Sequence, residues 1–189
     1  FGEALQWIDG EYRYAAANSD AMIVTYAAAQ EIGSSVILKV ATTGGVNGIQ
    51  QLSEGQLSAF SDYIRQLKPP GVDLLVVSRP ADTLKIYYRI YINPLVLNLS
   101  GGLVTDPAIK PVETAIKQYC KSLDFNGRFD VSALTDELQK IPGVLAPVFM
   151  QAFVRYGLND YQEFSDFYTP NAGYLAIDDD NPLDVTLSY

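Results

Sequence analysis

The sequence of 189 residues contains no histidine and a single cysteine, Cys120. The absence of histidine excludes Ser-His and Cys-His catalytic pairs, histidine metal ligands and the commonest general base. One cysteine cannot form a disulfide within the chain or supply a Cys-rich metal site. We expect Cys120 to be a small buried residue on a helix. The most familiar catalytic and metal-binding arrangements are therefore missing.

Long apolar runs are also missing. Hydrophobic residues make up 48% of the chain and charged residues 19%, which is an ordinary composition for a globular protein rather than a disordered one. No run approaches the length of a membrane-spanning helix, and the first residues lack the basic-then-apolar pattern of a signal peptide. We therefore expect a protein without a membrane span that works or is assembled in a cytoplasm.

Positive charge is absent from the last part of the chain. After Tyr156 there are seven acidic residues and no lysine or arginine, and the net charge of the whole chain is −9. Because phosphate binding needs clustered lysine and arginine, this distribution argues against a nucleic-acid partner. An acidic end is typical either of a solvated flank or of a surface that docks on a basic partner.

The clearest pattern that is present lies in residues 72–93. One face of its second half is apolar and comprises Leu84, Ile86, Tyr88, Ile90 and Ile92, and the other comprises Lys85, Tyr87, Arg89 and Tyr91. This alternation predicts a half-buried antiparallel strand. Residues 74–77 are apolar and residues 79–82 favour a turn, so we predict a long β-hairpin whose apolar face is covered by helices.

Other periodicities predict further helices and strands. We predict helical structure over residues 3–33, 53–67, 107–123 and 130–141. We predict strands over residues 35–42 and 144–156, and a terminal hairpin formed by residues 173–178 and 183–189. In the strand over residues 144–156, one face is expected to carry Val148, Met150, Ala152 and Val154.

This order of elements predicts an α+β fold, with antiparallel β-hairpins, amphipathic helices packed on one sheet face, and a helical N-terminus. We expect residues 1–48 to form the N-terminal helices and first strand. Residues 49–189 form the α+β region, either as one continuous domain or as two small subdomains, the second from about residue 107. The side chains of Tyr87, Arg89 and Tyr91 then form either a protein-protein surface or a surface that the N-terminal helices cover.

Two metal-binding patterns are incomplete in this sequence. Residues 178–180 are acidic, but they lack the alternating acids, glycine and distal glutamate of an EF-hand loop, so we expect a solvated turn. The Gly-Ser turn at residues 33–34 suggests a metal-dependent nucleotidyltransferase, in which such a turn precedes paired acids that hold two magnesium ions. The strand that follows carries no acid, and Asp73 and Asp82 are isolated. We predict no catalytic residue, no metal and no cofactor, and keep the nucleotidyltransferase as the alternative.

A series of short motifs runs in order through roughly residues 50–177. They are Leu52-Ser53, Tyr63-Ile64, Lys68-Pro69-Pro70-Gly71-Val72, Ser78-Arg79-Pro80-Ala81-Asp82, the strand ending Ile90 to Pro94, the helix Val112 to Tyr119, Leu123-Asp124-Phe125-Asn126-Gly127-Arg128-Phe129, Ile141-Pro142-Gly143-Val144 and Ala172-Gly173-Tyr174. In this order they resemble the baseplate J-like family, which are wedge components of contractile phage tails and related injection machines.

The resemblance implies a structural subunit of a phage-tail-like baseplate wedge, located in the virion or assembled in the cytoplasm of a bacterial host. Its implied partners are other baseplate or tail proteins and copies of itself, with no nucleic acid and no small-molecule substrate. The family has no catalytic residues, so the resemblance implies structure and assembly only. The candidate interface residues are Tyr87, Arg89 and Tyr91, and a generic protein-binding domain that uses this face is a further alternative.

Overall fold

A computed structural model describes residues 5–8, 11–14, 22–177 and 184–188 of the chain. The helices are α1 (Glu54–Leu67), α2 (Pro111–Ser122) and α3 (Val131–Gln139), with a short 3-10 turn at Val46–Gly48. The strands are β1 (Leu5–Ile8), β2 (Glu11–Tyr14), β3 (Tyr26–Ile32), β4 (Ser35–Thr43), β5 (Ile49–Gln50), β6 (Asp73–Val77), β7 (Asp82–Ile92), β8 (Phe129–Asp130), β9 (Val144–Arg155), β10 (Gln162–Phe164), β11 (Phe167–Tyr168), β12 (Leu175–Ile177) and β13 (Asp184–Ser188). The predicted α+β class is confirmed.

β7 is the central strand of the main sheet, which consists of β7, β9, β10, β12 and β13. β9 pairs antiparallel with one edge of β7, and β10 pairs antiparallel with β9. On the other edge of β7, β12 and β13 pair in parallel with successive parts of the strand. The predicted alternation along β7 is confirmed, because every second residue from Asp82 to Ile92 is buried.

Two amphipathic helices cover one face of the main sheet, as predicted. The buried side chains of β7 pack there with Val112, Ile116 and Cys120 of α2 and with Val131, Leu134 and Leu138 of α3. The Asp130 carboxylate begins α3 by accepting hydrogen bonds from the backbone N–H groups of Ser132 (2.9 Å) and Ala133 (3.3 Å), as expected of an N-cap. Cys120 lies in this core, and its burial raises the pKa of the thiol to about 12.

A second sheet consists of β3, β4 and β6, with β5 pairing at the end of β4. The helix α1 precedes β6 and begins at a capping box, in which Ser53 and Gln56 satisfy each other's backbone N–H groups. None of the residues of α1 is fully buried.

The predicted helix over residues 3–33 is wrong wherever this range is described. β1 pairs with β2 in an antiparallel hairpin, and β3 pairs with β4 in an unbroken antiparallel register from Tyr26 to Ile32. The alanines of β3 have a high intrinsic helix propensity, but pairing with the β-branched and apolar residues of β4 overrides it. The strand predicted over residues 35–42 is confirmed as β4.

Two predicted hairpins are wrong in their partners. β6 does not pair with β7; it pairs in parallel with β4, so residues 78–81 carry the chain from the second sheet to the main sheet. β12 and β13 do not pair with each other, because both pair in parallel with β7. The acidic residues 178–180, predicted as a solvated turn, lie outside the described residues.

The register between β7 and β9 shifts twice, after Tyr87 and after Tyr91, and the first shift is a β-bulge that reverses the alternation within β9. Tyr87 is opposite Gln151, whereas the next residue, Tyr88, is opposite Phe149, so Met150 is an extra residue. Before the bulge the inward residues are the buried Pro147, opposite Ile90, and Phe149, whose ring meets Tyr88 edge-on at 5.6 Å. After it, the inward residues are Ala152 and Val154. The prediction of one continuous face for Val148, Met150, Ala152 and Val154 is therefore wrong.

Candidate protein-protein interface

The outer face, defined here as the side of the main sheet opposite α2 and α3, carries the predicted interface residues. Tyr87, Arg89 and Tyr91 alternate with the buried residues of β7 and so share this face. Tyr87 is half-buried, whereas Arg89 and Tyr91 are exposed. None of the ion pairs formed between described residues involves Arg89. The structure thus brings the three residues together on one face of the main sheet.

Strand β9 extends the outer face sideways. Phe153 meets the ring of Tyr87 edge-on, with 5.9 Å between the ring centroids and an interplanar angle of 87°. Val148 is the register partner of Arg89, and its side chain is exposed. An edge-on aromatic contact of this kind favours the observed orientation of the Tyr87 ring. The outer face is therefore both aromatic and held in position by its own sheet.

Positive charge collects on the outer face of a chain whose net charge is −9. Two cations contact the ring of Tyr161: the Lys85 Nζ is 4.1 Å and the Arg155 guanidinium carbon 4.8 Å from its centroid. Both contacts are within the range of cation-π attraction. With Arg89, three cationic side chains lie among four aromatic ones on this face, and the described residues add one acid, the exposed Glu163, which is the register partner of Phe153.

A second surface was not predicted and lies at the end of the main sheet where β7 stops and β9 starts. Residues 90–105 and 141–154 contain no charged residue. The two segments touch, because the Asn93 N–H donates to the Gly143 carbonyl at 2.8 Å. We call the exposed apolar side chains Leu95, Leu99, Val104 and Leu145 the apolar tip; each is at least 50% exposed. The two charge-free runs were the sequence signal that could have revealed this surface.

The loop that carries the apolar tip is tightly hydrogen-bonded. The side chain of Asn93 accepts a hydrogen bond from the Leu95 N–H at 3.0 Å, and the side chain of Asn98 accepts from the N–H groups of Ser100 and Gly102, both at 3.0 Å. The fully buried Leu97 anchors the loop in the core. Because Asx turns and one buried leucine order the loop, its exposed leucines are not needed to hold it.

A buried charged cluster connects the main sheet to the second sheet. The Asp82 carboxylate accepts hydrogen bonds from the Tyr168 hydroxyl and from the backbone N–H groups of Asn171 and Ala172. On β4, the ammonium of Lys39 donates to the Asn126 side chain and to the Pro170 carbonyl, both at 2.8 Å. Burial raises the pKa of Asp82 and lowers the pKa of Lys39. Through these contacts the charged side chains of Asp82 and Lys39 hold together segments that lie far apart in the sequence.

The acids considered for a nucleotidyltransferase are not gathered into one described site. Asp73 is exposed and accepts a hydrogen bond from the Ser35 hydroxyl at 2.6 Å, whereas Asp82 is buried in the cluster above. Within residues 5–8, 11–14, 22–177 and 184–188, no three side chains of His, Cys, Asp or Glu lie together so that they could hold a metal ion. The described helices include none long and apolar enough to cross a membrane.

Comparison with protein-family models and with curated protein sequences found no match to this chain. A function therefore has to follow from the surfaces of the molecule and from the motif order described above.

Proposed function

We propose that this protein is a structural subunit of a phage-tail-like baseplate wedge, which assembles through protein-protein contacts and catalyses no reaction. The observation that carries the proposal is the outer face, on which Tyr87, Arg89 and Tyr91 lie together on a rigid sheet. The resemblance of residues 50–177 to baseplate J-like proteins favours a baseplate wedge as the assembly in which the protein works.

The composition of the outer face supports binding to another protein. Tyrosine and arginine are the residue types that most often dominate the binding energy of protein interfaces. Here they stand on a strand whose opposite face is packed against α2 and α3, so the surface loses little conformational freedom when it is covered. Tyr87 already packs edge-on against Phe153, and this contact reduces that entropic cost further.

The charge of the outer face indicates the chemistry of the partner. Among the described residues of this face, the cations Lys85, Arg89 and Arg155 outnumber the one acid, Glu163, so an acidic protein surface is the complementary partner. Such a contact is expected to form faster at low ionic strength and to weaken as salt screens the charges. In a baseplate this partner is a neighbouring wedge or tail protein.

A wedge subunit needs several modest contacts rather than one large one, because closed rings repeat each contact around an axis. The proposal therefore places the protein in the virion, or in the host cytoplasm while tails are being assembled. The outer face alone would also suit a protein-binding domain outside any tail. Mass spectrometry of purified phage or contractile particles distinguishes the two, since only a wedge subunit co-purifies with intact particles.

A further inference from the structure

We propose that the chain forms a covalent bond with itself, an amide that joins Nζ of Lys39 to Cγ of Asn126 and releases ammonia. The two residues are 87 positions apart, Lys39 on β4 of the second sheet and Asn126 in the segment between α2 and β8. The reaction occurs once in each molecule and involves the buried charged cluster, not the outer face. The cross-link and the proposed function can therefore fail independently.

The amine of Lys39 is held against the amide group of Asn126. Its Nζ donates to Oδ1 of Asn126 at 2.8 Å, and a second hydrogen bond of 2.8 Å to the Pro170 carbonyl holds the end of the lysine side chain. Because Oδ1 is bonded to Cγ at about 1.2 Å, the nitrogen is no more than about 4 Å from the carbon that it has to attack. Reactants held this close within one molecule react far faster than the same groups free in solution.

Backbone contacts hold the other reactant. The Asn126 N–H donates to the Gly173 carbonyl at 2.7 Å, and the Gly127 N–H donates to the Asp124 carbonyl at 2.7 Å. Asn126 has a φ of +62°, which asparagine adopts more readily than most residues. The nitrogen of Gly127 is the usual competitor for Cγ in an Asn-Gly sequence, and here its N–H is engaged with Asp124.

The surroundings favour the neutral amine that the reaction needs. Lys39 is only 6% exposed, and burial lowers the pKa of its ammonium group, although the charge of Asp82 opposes this shift and that of Arg79 adds to it. Asp82 is 1% exposed, and burial raises the pKa of its carboxyl. Burial thus favours the uncharged form of both groups, so Asp82 is the group that takes the proton from Lys39.

The reaction balances without a co-reactant. Asp82 takes a proton from Nζ of Lys39, and the lone pair of Nζ then forms a bond to Cγ of Asn126 while the carbonyl electrons move onto Oδ1. When the carbonyl forms again, the bond from Cγ to Nδ2 breaks. Nδ2 leaves as ammonia with the proton that Asp82 had taken, and Asp82 accepts the second proton from Nζ. The products are a secondary amide and, once ammonia has taken up that last proton, an ammonium ion.

The product suits its place in the fold. An amide is uncharged, so the reaction removes the buried positive charge of Lys39, which is costly to hold away from water. Ala41 is two residues further along β4 and so shares the sheet face of Lys39, and it belongs to a small apolar cluster with Tyr26 and Phe125. The new bond lies beside this cluster and ties the second sheet to the segment that precedes β8.

The test is mass spectrometry of the full chain, first intact and then after digestion with trypsin. We expect the wild type to be lighter than its sequence by one molecule of ammonia. Because trypsin does not cleave after an acylated lysine, residues 14–65 should be recovered joined to residues 122–128, which contain Asn126. Recovery of separate peptides 14–39, 40–65 and 122–128 overturns the proposal, and so does conversion of Asn126 to aspartate.

Variants identify the reacting groups. Lys39→Arg keeps the charge but removes the amine, so it is expected to have the full mass of its sequence; a loss of ammonia that persists in it overturns the proposal by assigning that loss to Asn126 and Gly127 alone. The matched control is Lys68→Arg, which is expected to remain cross-linked, because Lys68 donates to the Val72 carbonyl at 2.8 Å and not to Asn126.

Asp82→Asn tests the proton acceptor. Its circular dichroism spectrum shows whether it folds, and in the folded protein we expect the cross-linked fraction to form at least about tenfold more slowly than in the wild type, since positioned proton transfer accelerates such steps by at least that factor. An unchanged rate in the folded variant overturns the role given to Asp82.

Discussion

The hydroxyl of Tyr168 donates a hydrogen bond of 2.6 Å to the buried carboxylate of Asp82. This contact joins the first residue of β7 to β11, which lies 86 positions further along the chain. The same carboxylate accepts from the N–H groups of Asn171 and Ala172, so it orders the segment that leads into β12. Asp82, at 1% exposure, therefore fixes how β7 is connected to the end of the chain.

Replacement of Asp82 by alanine is expected to destabilise the fold by about 3 kcal/mol, because one buried and two part-buried donors lose their acceptor. The measurement is chemical denaturation, followed by circular dichroism. The matched control is Asp73→Ala, whose carboxylate also accepts a short hydrogen bond but is exposed. We expect the control to cost less than about 1 kcal/mol. Equal losses of unfolding free energy in Asp82→Ala and Asp73→Ala would show that the burial of Asp82 adds nothing to the effect of its hydrogen bonds on stability.

The buried Asp82 also predicts a pH dependence. Burial raises the pKa of its carboxyl above the ordinary value of 3.8, so the folded protein holds this proton more tightly than the unfolded chain does. The free energy of unfolding of the wild type, relative to Asp82→Asn, is therefore expected to fall as the pH rises from 3.8 through the raised pKa. Denaturation of both proteins over a series of pH values measures this difference in unfolding free energy. If the difference between the wild type and Asp82→Asn grew with pH, the hydrogen bonds to the Asp82 carboxylate would outweigh the effect of its burial.

Gly173 is expected to be intolerant of any side chain. Its φ of +93° lies in the left-handed region, and a Cβ at this position would come within 2.6 Å of the Phe125 ring. Gly33 is the matched control, because its φ is +63° but a Cβ there would meet nothing within 4 Å. We expect Gly33→Ala to cost about 1 kcal/mol from backbone strain alone. Gly173→Ala adds overpacking and should cost about 2 kcal/mol more. Similar thermal stabilities for the two variants would contradict the packing around Phe125.

The double variant Tyr87→Ala/Tyr91→Ala is expected to fold and to lose binding to its partner, because both side chains lie on the outer face and only Tyr87 is half-buried. The measurement is its incorporation into phage or contractile particles when it replaces the wild-type chain in the host. The matched control is Tyr63→Ala, a tyrosine of similar exposure on α1. Normal incorporation of a folded double variant would remove the outer face from the account.

Periodicity within one strand or helix was enough to predict much of the fold. The alternation from Leu84 to Ile92 predicted β7 and its buried face, and the cap residues Ser53 and Asp130 marked the starts of α1 and α3. These signals are local, because hydrogen bonds within a cap and the two-residue repeat of a strand depend on neighbouring positions only. The placing of Tyr87, Arg89 and Tyr91 on one face follows from the same repeat.

Strand pairing could not be predicted in the same way. Nothing local to residues 79–82 shows that β6 pairs with β4 and not with β7, since a turn changes the chain direction without selecting a partner. The bulge at Met150 was also hidden, because one extra residue reverses the alternation without any change in composition. Asp82 looked isolated in the sequence, although its partners Tyr168 and Asn171 lie far along the chain.

The most direct test of the proposed function is mass spectrometry of intact phage or contractile particles purified from the host that encodes this chain. The account predicts that the chain is present in the particles at a few copies each, as expected of a subunit of one ring, together with other tail proteins. It also predicts that chemical cross-links from Lys85, on the outer face, reach a neighbouring tail protein. Absence of the chain from intact particles would contradict the proposal and leave a protein-binding domain that acts elsewhere.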